Sequence, residues 1–448
     1  MRLLLLLPLC ALACAGPRIP YPEIDRPAPA RTAEQPRPNI VLIMADDLGL
    51  EAFTSYGGES YSTPRLDRLA AGGMQFERVY SQTLCTPSRI KLMTGRGNLR
   101  NYTQFSILSP GEPTFGHLAQ QAGYVTGVFG KWQLLGAEHY PEEVRGTGTH
   151  PRDAGFDEWC LWQVEALGSR YAEPSYEHNG VLLREVQGAY GPDLYCAALL
   201  DFMQRYRDRP FLAYFPMALP HSPFEKTPLS PPGRQSRQER FADMVHYVDL
   251  LVGRVEDELD ALGLSENTLI LFTTDNGTER GIVSRFRGEE VIGAKTRSTE
   301  AGIHVPLIAS WPGRIAPGSS NADLIGFADF YATFAELLDV APPHPENLDG
   351  ISFLPALQGR PGQMREVLTI YSNPRPPGSE RNPRVRLALD GRFKLYDDGR
   401  FYDYLADPME AQPLELHALR AEAAQALPRL QAALDAMPPE PAHLRGAN

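Results

Sequence analysis

Residues Asn39–Ala45 read Asn-Ile-Val-Leu-Ile-Met-Ala and then stop at Asp46-Asp47-Leu48-Gly49. A strand that is apolar at nearly every position has no face to give to water, so both of its faces must be covered. That requirement selects a sheet with helices on both sides over a sandwich or a helical bundle. The pattern recurs along the chain. Residues 124–129 deliver Gly130-Lys131-Trp132, residues 210–217 lead to Pro220-His221-Ser222-Pro223, and Thr268–Thr274 ends in Asp275-Asn276-Gly277. Helical segments lie between these strands. Thr114 caps one that carries Phe115, Leu118, Ala119 and Ala122. A longer one over residues 240–262 places Phe241, Met244, Val245, Val248, Val252, Val255 and Leu259 on one face and closes at Gly263.

The pattern changes after residue 365. Short segments at 367–371, 384–389, 392–396 and 400–404 are separated by turns such as Asp390-Gly391 and Asp398-Gly399. An Ala- and Leu-rich helix over 414–437 follows, with a bend or break expected at Pro428. The chain therefore divides into an α/β body over 38–365 and a small antiparallel appendage with a helix over 366–448.

Ahead of the body, Met1-Arg2 and an apolar run to about residue 15 read as a secretory signal peptide over 1–13, too short to span a bilayer. Residues 14–37 are rich in Pro, Arg and Ala and read as an extended tether. Cys14 follows Ala11-Leu12-Ala13, which leaves lipid anchoring at Cys14 and simple secretion both open. The chain is thus expected to be exported, as a periplasmic or surface lipoprotein. Three of the five cysteines, Cys85, Cys160 and Cys196, belong to the exported body. An odd number leaves at least one unpaired; Cys160 and Cys196 are the candidate pair. A formal net charge of −12 argues against a nucleic-acid partner, but a few placed cations can still dominate one pocket.

Asp46, Asp47, Asp275 and Asn276 all follow strand ends, where open α/β sheets place ligands. Oxygen donors without a Cys/His cluster suit a hard cation, Ca²⁺ or Mg²⁺. Either pair alone is also compatible with a turn or a cap. Cys85-Thr86-Pro87-Ser88-Arg89 decides between these readings. It resembles the Cys-x-Pro-Ser-Arg signature of the formylglycine-dependent sulfatases, within the alkaline phosphatase-like superfamily, and is followed by Leu92-Met93-Thr94-Gly95-Arg96. The segments around residues 39–49, 130–134, 220–224, 244–277 and 295–306 extend the resemblance in the same order.

The resemblance implies an alkaline phosphatase-like, mostly parallel central sheet flanked by helices, with the small C-terminal antiparallel subdomain. It implies that a formylglycine-generating enzyme oxidises Cys85 to an aldehyde whose hydrate attacks sulfur. The alcohol then leaves, and collapse of the hydrate releases sulfate. By the same resemblance Asp46, Asp47, modified Cys85, Asp275 and Asn276 hold the metal, while Arg89, Lys131, His221 and Lys295 bind sulfate and assist catalysis. The expected substrate is a sulfated small molecule or glycan. Phosphonate or phosphodiester hydrolysis, or glycan binding without turnover, are the alternatives.

One position departs from the family. Where relatives carry Gly-Lys-Trp-His-Leu, this chain has Gly130-Lys131-Trp132-Gln133-Leu134. Glutamine hydrogen-bonds but exchanges no proton near neutral pH, so Gln133 is a site residue whose effect on turnover is open. His139 is the nearest alternative base in sequence.

Overall fold

The computed structural model describes residues 37–373 and 384–443. The signal peptide, nearly all of the tether and Cys14 lie outside the described residues. In chain order the strands are β1 (Asn39–Ala45), β2 (Met74–Tyr80), β3 (Val125–Lys131), β4 (Glu158–Trp162), β5 (Tyr176–His178), β6 (Val181–Leu183), β7 (Phe211–Pro216) and β8 (Thr268–Thr274). A separate hairpin of β9 (Val283–Phe286) and β10 (Glu289–Ile292) follows. Then β11 (Leu307–Ser310) and β12 (Ser319–Gly326) return to the main sheet. Its order is β12-β2-β11-β8-β1-β7-β3-β4-β5-β6.

The five central strands, β8, β1, β7, β3 and β4, run parallel. Antiparallel pairing is confined to β11 on one side and to β5 and β6 at the far edge. All seven residues of β1 are buried, because alternate side chains enter different cores. Ile40, Leu42 and Met44 join one cluster with Ile90, Phe115, Leu118 and Phe334. Val41, Ile43 and Ala45 join another with Leu66, Leu199, Phe241 and Val248. Helices Cys85–Thr94, Phe115–Gln121 and Ala328–Leu338 supply the first layer. Helices Pro64–Ala71, Gly191–Arg205 and Arg237–Ala261 supply the second. A mixed sheet with a parallel centre between two helical layers is the α/β architecture that the continuous apolar strands require.

The C-terminal strands β13 (Leu368–Ser372), β14 (Val385–Leu389), β15 (Phe393–Tyr396) and β16 (Phe401–Asp403) form an antiparallel sheet in sequence order. One face packs on Tyr80, Ile303 and Leu324 of the body, and the other on the last helix through Ala423, Ala426, Leu430 and Leu434. That helix spans Ala421–Ala436, with a separate turn at Leu416–Ala418, and it continues through Pro428 instead of breaking there. Pro428 lies on the exposed side, where water can take up the carbonyl it leaves unbonded.

One further sequence reading is settled here. Cys160 and Cys196 form no disulfide; both are free and buried. They sit in one apolar cluster on β4 and on the Gly191–Arg205 helix, and pack as small hydrophobes. His117 completes a capping box: the Thr114 backbone N–H donates to His117 Nδ1 at 3.1 Å.

Candidate active site

Adjacent parallel strands bring the separated motifs together at their carboxyl ends. β1 ends at Ala45 opposite Thr274 of β8, so Asp46 and Asp47 emerge beside Asp275 and Asn276. β3 ends at Lys131, and the chain leaving β7 carries His221. Asp47 has φ 64°, a left-handed turn that an aspartate tolerates better than a branched residue. Gly130 has φ +125°, and a Cβ there would fall 2.1 Å from the Pro216 carbonyl oxygen. Only glycine lets β3 pass β7 this closely before presenting Lys131.

Cys85 opens the helix Cys85–Thr94, at the end where backbone N–H groups are unpaired and the helix dipole is positive. Arg89 lies one turn further on, so both side chains project from one helix face. Cys85 and Arg89 are 2% and 1% exposed. Two groups of donor atoms cluster within 4.8 Å of one another: those of Asp46, Cys85 and Asp275, and those of Asp46, Asp47 and His221.

Three carboxylates face three cations here. Lys131 Nζ donates to Asp46 Oδ2 at 2.7 Å, and Arg89 donates through Nε and Nη2 to Asp275 Oδ2 at 3.0 and 2.8 Å. Lys295 Nζ pairs with Asp47 Oδ2, lies 3.2 Å from Glu279 and is 3.3 Å from His221 Nε2. Asn276 Nδ2 donates to Asp47 Oδ1 at 2.9 Å, and the Asp47 N–H donates to Asp275 Oδ1 at 3.1 Å. His221 Nδ1 lies 2.6 Å from the Ser222 carbonyl. The N–H is therefore assigned to Nδ1, which leaves Nε2 as the acceptor facing Lys295.

The electrostatics follow from burial among opposed charges. Burial pushes the Asp46 carboxyl up, but the neighbouring positive charges, Lys131 foremost and Arg89 with it, outweigh it, and Asp46 stays below the ordinary range. Burial and the neighbouring Asp46 charge raise Asp275. Burial, then Lys295 and Arg170, hold His221 well below its usual value, so its imidazole is neutral at pH 7. Burial opposes the Lys295 charge as well, yet Asp47 and Glu279 hold that ammonium protonated. Burial also raises the Cys85 thiol, which keeps the unmodified sulfur out of its thiolate form.

Two buried oxygens in this cluster, Asp46 Oδ1 and Asn276 Oδ1, have no hydrogen-bond partner. Acceptors stranded without donors beside two more carboxylates are what a hard cation would satisfy. The residues present thus fit a Ca²⁺ or Mg²⁺ ion held by Asp46, Asp47, Asp275 and Asn276, with residue 85 adjacent.

Gln133 joins the cluster through its Oε1, which accepts from Cys85 Sγ at 3.5 Å. Its backbone turns at φ 55° between buried Trp132 and Leu134. Tyr140 lies beyond, its hydroxyl shared with Ser106 Oγ at 2.5 Å and also contacting Gln133 and Gln163. His139 lies tilted against Tyr140 at 4.0 Å between ring centroids, and no hydrogen bond joins it to Cys85. All ten residues singled out from the sequence meet in this one region. Sequence reasoning missed Glu279, Tyr140, Tyr171 and Arg170. Glu279 lies only four residues beyond Asp275 and was open to inspection. The other three sit in loops with no motif, and only the fold carries them here.

Comparison with known proteins identifies the family. The family model described as Sulfatase matches residues 38–340, and the one for the C-terminal part of N-sulphoglucosamine sulphohydrolase matches residues 288–435. The N-acetylgalactosamine-6-sulfatase of Canis lupus familiaris is 33% identical over 405 residues, covering 83% of this chain and 72% of the relative. The crystal structure of Ps i-CgsB superposes with a TM-score of 0.72 at 23% identity, over 89% of this chain and 92% of that one. The structure of BT4656 with its substrate D-glucosamine-2-N,6-O-disulfate gives 0.70 at 21% identity, over 89% and 97%. With a family match over most of its length and the motif residues gathered at one end of the parallel sheet, the chain belongs to the sulfatase family of sulfuric ester hydrolases.

Proposed function

We propose that this sulfatase hydrolyses a sulfate ester on a carbohydrate, using a formylglycine derived from Cys85 and a divalent cation. The observation that carries the reading is the position of residue 85, at a helix N-terminus between Asp46, Asp275 and Gln133 with Arg89 and Lys131 alongside. The carbohydrate assignment is supported by the names of the relatives, which act on sulfated hexosamines.

A sulfate monoester repels an incoming nucleophile until its oxygens are neutralised. When bound, the cation supplies a Lewis acid for those oxygens. Conversion of Cys85 supplies a hydrated aldehyde, whose second hydroxyl permits release of sulfate. The chain's own residues supply the rest. Arg89 and Lys131 are fixed by Asp275 and Asp46 before substrate arrives, so little reorganisation is required during reaction. Lys295 and His221 face Asp47 from the open side, where the ester oxygen would lie. A bound anion next to neutral His221 raises its affinity for a proton, preparing it to serve the departing alcohol. Gln133 accepts from residue 85 and holds its orientation, but provides no base. That substitution favours a second reading, a sulfated-glycan binder that turns over slowly.

The test begins with mass spectrometry of the Cys85 peptide, from protein produced with the maturation enzyme. Active protein carrying an unmodified cysteine would refute the aldehyde mechanism. The converted protein is then mixed rapidly with 4-nitrophenyl sulfate, sulfated hexosamines and a bis-aryl phosphate. Linear turnover of sulfate esters supports the enzyme reading. A stoichiometric burst, with cycling restored by Gln133→His, supports slow release through loss of a base. Preference for the phosphate diester would overturn the substrate assignment.

A further inference from the structure

Most arginines near the site are spoken for, but Arg170 is not. Its Nη1 is buried without a hydrogen-bond partner, and no carboxylate among the described residues lies within ion-pair distance of it. Its guanidinium instead stacks on Trp162, 3.9 Å from the ring centroid. Trp162 is 2% exposed and locked by its Nε1–H to the Gly168 carbonyl at 2.8 Å. Stacking fixes the guanidinium plane while leaving its edge free to donate, an arrangement lysine cannot reproduce.

Two observations place this arginine at the rim of the active site. Trp162 is the register partner of Lys131 across β3 and β4. The adjacent Tyr171 hydroxyl donates to the Ala218 carbonyl at 2.7 Å and the His221 carbonyl at 2.5 Å, tying this loop to the one that carries His221. An unpaired, half-buried cation carries a desolvation cost that a ligand anion would relieve. The scissile sulfate already has Arg89, Lys131 and Lys295.

We propose that Arg170 recognises a second anionic group on the substrate, a carboxylate or a further sulfate borne by the glycan beside the ester that is cut. The inference rests on the sulfatase reading and specifies its substrate as polyanionic. A bidentate, charge-assisted contact from a preorganised guanidinium suits the planar carboxylate and the sulfate face alike.

The test uses the full, converted protein and its Arg170→Gln and Arg170→Lys variants. Three sulfated disaccharides of matched linkage serve as substrates: one neutral apart from its ester, one with an added hexuronate and one with a second sulfate. In Arg170→Gln, the kcat/KM ratio of a dianionic substrate over the monoanionic one should fall about tenfold to a hundredfold, the range of a charged hydrogen bond, with the loss in KM. Arg170→Lys should recover part of it. The hexuronate and disulfate arms show which anion the residue prefers. An unchanged ratio, whether through equal losses or none, overturns the proposal. Calorimetric titration of unconverted protein with the disulfated disaccharide reads the same contact without turnover. Binding at least tenfold weaker in Arg170→Gln upholds the proposal even if catalysis fails, and equal binding refutes it.

Discussion

Lys91 offers a quantitative test of how this fold accommodates buried charge. It lies on the Cys85–Thr94 helix, is 4% exposed and borders a cavity of about 330 Å³ with Arg100, Asp329, Asp349 and Arg365. Burial, then the Arg365 charge, lowers the Lys91 ammonium from 10.5 to about 8, although Asp329 and Asp349 pull the other way. Its neutral partner is the Gln82 side-chain oxygen at 3.1 Å, in the amide orientation that also donates to the Tyr371 carbonyl. At 1.36 kcal/mol per pH unit, that depression corresponds to about 3 kcal/mol of native-state cost while the lysine is charged. Lys91→Met removes the cost but strands the Gln82 oxygen, a loss of about 1–2 kcal/mol. The variant should therefore be more stable than wild type by about 1–2 kcal/mol at pH 7.

The sign then reverses with pH. Between about 8 and 10.5 the unfolded chain holds the Lys91 proton and the folded chain does not, so wild-type stability gains as pH rises through that window. Below pH 8 both states are protonated and the cost is present in full. Urea unfolding of both proteins at pH 7, 8, 9 and 10.5, followed by tryptophan fluorescence, reads the difference; other titrating groups cancel in the comparison. A stability difference that stays constant from pH 7 to 10.5 would refute the reasoning.

Two further expectations concern the site itself. Added Ca²⁺ should raise the melting temperature through Asp46, Asp47, Asp275 and Asn276, by about 2.7 kcal/mol of stability at a hundredfold excess over the dissociation constant. Chelation should reverse the shift and Asp47→Asn should abolish it; a melting temperature indifferent to both Ca²⁺ and chelator contradicts the proposed cation. Gly130→Ala should cost about 3 kcal/mol or more, since strain at φ +125° adds to a clash with the Pro216 carbonyl. Gly146→Ala is the control, because it also has positive φ but meets nothing within 4 Å, and should cost only about 1–2 kcal/mol. Equal losses in chemical denaturation would show that close packing at Gly130 is not what demands glycine.

Much of the architecture was readable from local pattern because burial writes itself into sequence. β1 and β8 begin and end where their apolar runs do. The long helix spans Arg237–Ala261, starting four residues ahead of Phe241, the first residue of its apolar face, because Ser236 and Glu239 form a capping box. The last helix was harder. Propensity alone could not show that Pro428 would point to solvent and leave the helix whole.

The site divides along the same line. The sequence by itself determined which residues to expect together at the site, because a cysteine in a Cys-x-Pro-Ser-Arg run, its arginine one helical turn away and carboxylates after strand ends leave local signatures. Tertiary structure alone decided the rest. Asp46 lies beside Asp275 because β1 and β8 pair in register, and Lys131 reaches Asp46 because glycine lets β3 and β7 approach. Arg170 arrives at the rim through a loop whose sequence has no motif. Its position depends on Trp162 beneath it and on the Tyr171 hydroxyl bonded to the His221 loop. The bond from Tyr171 to His221 joins residues fifty positions apart, and no local pattern encodes a distance that only the folded chain sets.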